Sequence, residues 1–271
     1  MNTFNVAHCL GGFIMFLVFN RQKIISYLVA FSTVAILFAG ASFFIPPYGD
    51  TIETVGGVSK LLPIYCVKTE EKKVSLTINC AWNADDIDKI LDTLNKNQVK
   101  VTFFMVGDWI DKYPEAVKKI ASSGHEIGNH SNTHPHVNQM TLEKNEEQIK
   151  ECANKIERLT GKRSTLYRGP YGEYNDIVIT AAKNQNHKTI QWSLDTLDYK
   201  GLTEDEMWNR LKDKLKQGDI ILMHNGTTHT ADALGKIISN IKEKGYEIVP
   251  VSNLIYNENY TIDANGMQKI E

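Results

Sequence analysis

The stretch KKVSLTINCAWNADDIDKILDTLNKNQVKVTFFMV, Lys72–Val106, decides the fold class. Both ends are short runs rich in β-branched and aromatic residues, Val74–Ile78 and Lys100–Val106, and they read as strands. Between them Ala84, Ile87, Ile90, Leu91 and Leu94 recur at helical spacing. A strand, a helix and a second strand in so short a span form a βαβ unit, whose strands lie parallel in one sheet.

The same rhythm continues outward. Ile110, Tyr113, Val117 and Ile120 keep helical spacing up to Gly124, and a short strand at His125–Ile127 follows. A long helix is predicted from Thr141 to Leu159, with Thr141–Lys144 as a capping start and Gly161 as a stop. Thr165–Tyr167 reads as a strand, Asn175–Asn186 as a helix and Thr189–Leu194 as a strand. Thr203 caps a helix carrying Met207, Trp208, Leu211 and Leu215. Asp219–Met223 is a buried type of strand, Leu234, Ile237, Ile238 and Ile241 mark a further helix, and Glu247–Val251 is the last strand. Alternation of this kind predicts an α/β fold with a largely parallel sheet, either open or closed into a barrel. In both forms a site gathers at the carboxyl ends of the strands.

The first part of the chain differs. Ile24–Ile45 carries no charge, follows Arg21 and Lys23, and ends at Pro46-Pro47. At 1.5 Å per residue it is long enough for a bilayer core of roughly 30 Å. It predicts one N-terminal transmembrane helix acting as a signal anchor, with residues 1–23 in the cytoplasm and the rest of the chain on the extracytoplasmic side of the cell membrane. Ala39-Gly40-Ala41 keeps a cleaved signal peptide open as the alternative. Residues 46–70 read as a linker, 71–257 as the main domain and 258–271 as a tail.

Composition narrows the partners. A net charge of −2 gives no electrostatic case for nucleic acid or an anionic partner. Cys9, Cys66, Cys80 and Cys152 are far apart, which argues against a disulfide framework and a cysteine-rich zinc site.

Strand ends then serve as a filter for reactive residues. Asn79 and Cys80 close the first strand, His130 and His134 follow the third, and Arg168-Gly169-Pro170-Tyr171 follows the fourth. Asp195 and Asp198 follow the fifth, and His224-Asn225 the sixth. His130 and His134 stand four residues apart, so on a helical turn both rings could bind one metal ion. His125, His136, His187 and His229 fit the scheme less well and read as structural or solvent-exposed.

These residues resemble the polysaccharide deacetylases of the NodB-homology type, carbohydrate esterase family 4. The motifs that carry the resemblance are His130-Ser131-Asn132-Thr133-His134, Arg168-Gly169-Pro170-Tyr171-Gly172, Asp195-Thr196-Leu197-Asp198-Tyr199 and Leu222-Met223-His224-Asn225. Their wording is most similar to the sporulation-type branch of spore-forming bacteria. The resemblance implies a distorted, incomplete (β/α) barrel and a divalent metal ion, commonly Zn2+. The implied reaction is removal of acetyl groups from GlcNAc- or MurNAc-type residues of peptidoglycan or a related cell-wall glycan. Carried over by position, His130 and His134 would be metal ligands and His224 the general acid. Arg168 would pair with the carboxylate at the first strand end, and the Tyr171 backbone N–H would stabilise the oxyanion. One of Asp195 and Asp198 would tune His224.

One departure bears on activity. The family's first motif reads Thr-Phe-Asp-Asp, with the first Asp as base and the second as metal ligand, whereas this chain has Thr77-Ile78-Asn79-Cys80. An amide has no basic lone pair at neutral pH, and losing a general base costs roughly 100- to 10,000-fold in rate. Asp85, Asp86, Cys80 or a water remain as sources of a third metal ligand. The expected function is a metal-dependent N-deacetylase impaired at Asn79; the alternative is an inactive relative that binds glycan or a protein partner.

Overall fold

The computed structural model describes residues 3–10, 13–20, 25 and 60–271. Two strands, β1 (Thr3–Leu10) and β2 (Phe13–Asn20), form an antiparallel pair, Leu10 lying opposite Phe13. The transmembrane run expected at Ile24–Ile45, save Ile25, and the linker as far as residue 59 lie outside the described residues. Among those described, no helix is long and apolar enough to cross a membrane.

Residues 60–271 carry the α/β fold. After the short strand β3 (Cys66–Val67) come β4 (Lys73–Cys80), β5 (Thr102–Met105), β6 (Glu126–Asn129), β7 (Leu166–Tyr167), β8 (Lys188–Thr189), β9 (Leu194–Asp195), β10 (Ile220–His224) and β11 (Glu247–Ile248). Along the sheet the order is β8-β7-β6-β5-β4-β10-β9, with β11 on the start of β4, and every pairing is parallel. The helices are α1 (Ile87–Lys96), α2 (Gly107–Lys112), α3 (Pro114–Ser122), α4 (Leu142–Thr160), α5 (Asp176–Asn184), α6 (Glu204–Leu211) and α7 (Thr230–Glu243). Their limits follow local chemistry. Thr141 and Asn175 accept N-cap bonds from Lys144 and Val178, Thr203 and Glu206 form a capping box, and Gly161 ends α4 in the left-handed conformation. The helical spacing through Ile110–Ile120 is divided between two helices, because Pro114 lacks an N–H and starts α3 instead of continuing α2.

The central strand β4 sorts its side chains by the pleat. Val74, Leu76, Ile78 and Cys80 pack in one core with Ile87, Ile90, Leu91 and Leu94 of α1. Fully burying each such aliphatic side chain contributes about 1.5–3 kcal/mol. Ser75, Thr77 and Asn79 have the opposite parity. Ser75 Oγ donates to the Val249 carbonyl and Thr77 Oγ1 to that of Ile221, both at 2.8 Å, so these buried hydroxyls are satisfied.

The strand expected over Thr189–Leu194 is split, and the split explains how the sheet curls. Its first part, β8, lies at one edge of the sheet and its second, β9, at the other, so Ile190–Ser193 crosses from edge to edge. Residues 64–67, expected within a linker, fill the gap between those edges. Ile64 N–H donates to Thr189 O, Gln191 N–H to Ile64 O, and Val67 N–H to Gly218 O, each within 2.9 Å. Gly218 is required there: its φ is +82° and a Cβ would stand 1.8 Å from Val67 O. The expected tail is also structured. β12 (Tyr260–Ile262) and β13 (Met267–Ile270) form a hairpin, and β13 pairs in parallel with β3. The result is an incomplete, curled parallel barrel whose seam is closed by segments from both ends of the domain.

Candidate functional site

The carboxyl ends of the strands open into a cleft of about 490 Å³. Asn79 from β4, His130 and His134 from the loop after β6, Tyr171 after β7, Asp195 of β9 and His224 of β10 all line it. Arg168 and Asp198 lie directly behind these residues. The loops that deliver them are strained: Ser131, His134, Tyr171 and Leu197 have φ of 65°, 58°, 58° and 53°. Non-glycine residues hold such values at a cost, and that cost is concentrated around this cleft.

At one end of the cleft, Asp198 and His224 form a complete dyad. Asp198 is fully buried and accepts from His224 Nδ1 at 2.8 Å, His224 N at 2.6 Å, Thr230 Oγ1 at 2.7 Å and Tyr199 N at 3.0 Å. The Nδ1 proton is thereby fixed, and Nε2 is the ring nitrogen left for the cleft. Of the two aspartates left open by the sequence, Asp198 is the one bound to His224. The Asp195 carboxylate instead accepts from the Leu197 N–H at 2.8 Å, and burial raises its pKa.

At the other end the central residue is Arg168, whose side chain is fully buried. Its Nη1 donates to Thr77 Oγ1 at 2.8 Å and Asn79 Oδ1 at 2.9 Å, its Nη2 to Gln191 O at 3.0 Å and its Nε to Ile190 O at 3.4 Å. Every one of these acceptors is neutral. The Phe104 ring lies 4.1 Å from the guanidinium and the Trp192 ring 5.5 Å, which supplies cation–π stabilisation, and the Asp195 carboxylate adds a counter-charge without a hydrogen bond. Burial lowers the Arg168 pKa to about 9.

The Asn79 amide is oriented by this network. Its Oδ1 faces Arg168, so Nδ2 is turned to His130 Nε2, 3.3 Å away. His130 Nδ1 lies 2.7 Å from the Arg168 carbonyl, which can only accept, so the proton sits on Nδ1 and Nε2 keeps its lone pair for Asn79. Burial, then the neighbouring His134, holds His130 well below the usual imidazole pKa. Burial also lowers His134, and the two rings meet edge to face with centroids 5.0 Å apart.

A catalytic zinc or similar ion takes three protein ligands as a rule. Two imidazoles converge here, but the three expected side-chain sources of a further donor lie elsewhere. Cys80 shares the outward parity of Val74, Leu76 and Ile78, is buried in the helix-facing core, and burial raises its pKa well above that of a free thiol. Asp85 is exposed. Asp86 faces another loop: its Oδ2 accepts from Gly226 N at 2.8 Å and its Oδ1 from Asn225 Nδ2 at 3.2 Å. It clamps the turn after His224. Among the described residues no group of three or more histidine, cysteine and acidic side chains is placed to hold an ion. The donor set does not fit the family's metal.

Trp82, Tyr199 and Trp192 escaped the strand-end filter. Trp82 and Tyr199, like Tyr171, are large and exposed at the rim, and Trp192 forms part of the wall. His136 stacks on Tyr171 at 4.4 Å and its Nδ1 lies 2.7 Å from Glu173 Oε1, bracing the ring. Three of these aromatics sit inside or beside the quoted motifs, which was the available signal.

Comparison with known proteins adds a family. The model of the family "Polysaccharide deacetylase" matches residues 66–190. A peptidoglycan-N-acetylglucosamine deacetylase of Bacillus cereus is 35% identical over 186 residues, covering 67% of this chain and 68% of the relative. The uncharacterized protein YlxY of Bacillus subtilis is 36% identical over 193 residues, or 71% of this chain; the match spans 60% of YlxY. Among solved structures, BA3943 of Bacillus anthracis, described as a CE4 family pseudoenzyme, superposes with a TM-score of 0.69 at 34% identity, covering 71% of this chain and 68% of its own. A mutant of BA3943 is described as having restored enzymatic activity.

Proposed function

The chain belongs to the polysaccharide deacetylase family, and we propose that its cleft receives an N-acetylated sugar of a peptidoglycan-like glycan while its hydrolytic step is impaired at Asn79. The observation that carries this reading is the Asn79 amide, fixed between Arg168 and His130 where the family's base is expected. The amide can donate to a ligand oxygen, but it cannot take a proton from water. In metal-loaded members of the family, the ion supplies an acidified water and polarises the acetyl carbonyl.

The remaining residues support binding. Trp82, Tyr171 and Tyr199 offer exposed ring faces at the rim, and the apolar faces of pyranose rings stack on such surfaces. Asn79 Nδ2 has a second hydrogen besides the one directed at His130, and as a donor it suits an acetamido oxygen. The Tyr171 backbone, held in the left-handed region, is the expected partner for that oxygen from the next loop. His224, held by Asp198, is placed as the acid for a leaving amine. This intact dyad favours a second reading, slow residual deacetylation. The charge-free run Ile24–Ile45 supports a domain held outside the cell membrane, which fractionation of the expressed full chain would test.

Calorimetry with N-acetylglucosamine oligomers and their chemically deacetylated counterparts tests the main reading. Binding of the acetylated oligomers with stronger heat and affinity, and with acetate at background, is the expected result. Equal or absent binding of the two would overturn it, and steady acetate release would establish the second reading.

A further inference from the structure

The mismatch between the two histidines and their surroundings extends beyond a missing ligand. We propose that Asn79 closes this end of the cleft to divalent cations, so that the native protein works as a metal-free cleft built around a buried guanidinium that has no carboxylate among its hydrogen-bond partners.

Three features act in the same direction. The nitrogen that would bind an ion, His130 Nε2, is engaged by the Asn79 amide at 3.3 Å, and an incoming cation would face the amide's donor side. Turning the amide over would not help, because Asn79 Oδ1 would then leave Arg168 Nη1, 2.9 Å away, and set an N–H against a cation. Next, the polar neighbours of the two imidazoles at this end bring no negative charge. Arg168 is fully buried with four neutral acceptors, and no carboxylate is among its hydrogen-bond partners. A divalent ion beside the histidines would therefore meet a like charge across one side chain, in surroundings where charges are weakly screened. Finally, the nearby acids are held by other groups. Asp198 is bound by His224, Thr230 and Tyr199, and Asp86 clamps Asn225 and Gly226. Asp195 is tied to the Leu197 N–H, and its charge acts on Arg168 without a hydrogen bond to it. The Phe104 and Trp192 rings beside Arg168 stabilise the cation from its faces.

This inference uses the same cleft as the glycan reading but does not depend on what the cleft binds, so its test contains no sugar. Zinc chloride is titrated into the full chain by calorimetry, for wild type, Asn79→Asp, His134→Ala and the double variant Asn79→Asp/His134→Ala. Wild type is expected to bind zinc no more tightly than His134→Ala does. Asn79→Asp is expected to gain affinity by at least about 100-fold, because it adds a negative ligand and neutralises Arg168 together. The double variant should lose that gain. Wild-type affinity within about threefold of Asn79→Asp, abolished by His134→Ala, would overturn the proposal. If Asn79→Asp does not fold, the imidazole nitrogen resonances of the wild-type protein decide the question. An Nε2 resonance of His130 that is unmoved by zinc supports the proposal; one that shifts as zinc is added contradicts it.

Discussion

The two ends of the cleft are built from the same kinds of residue and differ in charge pairing. At the His224 end a buried carboxylate meets an imidazole, a hydroxyl and two backbone N–H groups, so each strong group has a partner of matching character. At the Arg168 end a buried cation meets only neutral oxygens and aromatic faces. On the proposed reading the first end is placed to move a proton, while the second carries the neutral Asn79 where the family's base is expected. The comparison implies that a cleft can keep its shape and half of its chemistry while the other half turns on a side chain of nearly identical size.

The largest expected effect comes from removing the buried cation. Arg168→Met should destabilise the domain by about 3–5 kcal/mol in denaturant unfolding, because several buried acceptors lose their donor together. Less than about 1 kcal/mol would mean that this end of the cleft is not organised by the guanidinium. Asp198→Asn places an amide N–H among four donors and should cost about 2–4 kcal/mol, against less than about 1 kcal/mol for Asp195→Asn, whose carboxylate accepts one backbone bond. Equal losses would erase the distinction drawn between these two acids. Asp86→Ala should cost about 1–2 kcal/mol and loosen the Asn225-Gly226 turn, visible as faster amide exchange there. Unchanged exchange would refute the clamp.

A pH dependence is expected remote from the cleft. His125 and His187 are held neutral, burial pushing each pKa to about 4. The unfolded chain takes up protons as pH falls below the ordinary 6.5 while the folded chain does not, so stability is lost progressively from there down to about 4. Urea unfolding across that range should report the loss, reduced in a His187→Gln variant. A flat profile would show that these imidazoles are not buried neutral.

The fold was largely legible in the sequence because hydrophobic period and caps are local. Lys72–Val106 sets out one βαβ unit, and Thr141, Asn175, Thr203 and Gly161 mark helix limits by chemistry that acts within a few residues. The closing of the sheet was not legible. Thr189–Leu194 reads as one strand, and only the tertiary path reveals that its two ends belong to opposite edges. The same holds for Cys66–Val67 and Met267–Ile270, whose pairing spans almost the whole domain.

For the site, the rule that strand ends carry function was enough to gather Asn79, His130, His134, Arg168, Tyr171, Asp195, Asp198 and His224 around one cleft. Cys80 could have been rejected by parity alone, since it alternates with Leu76 and Ile78 in the core. Asp85 and Asp86 could not, because their direction depends on a loop whose course is set by Asn225 and Gly226.

The most direct test of the central claim is acetate release from N-acetylglucosamine oligomers, measured for zinc-supplied wild type and Asn79→Asp at equal protein concentration. If Asn79 is what disables this cleft, the variant should release acetate at least about 100-fold faster than wild type. Equal rates, whether both high or both at background in a folded variant, would contradict it.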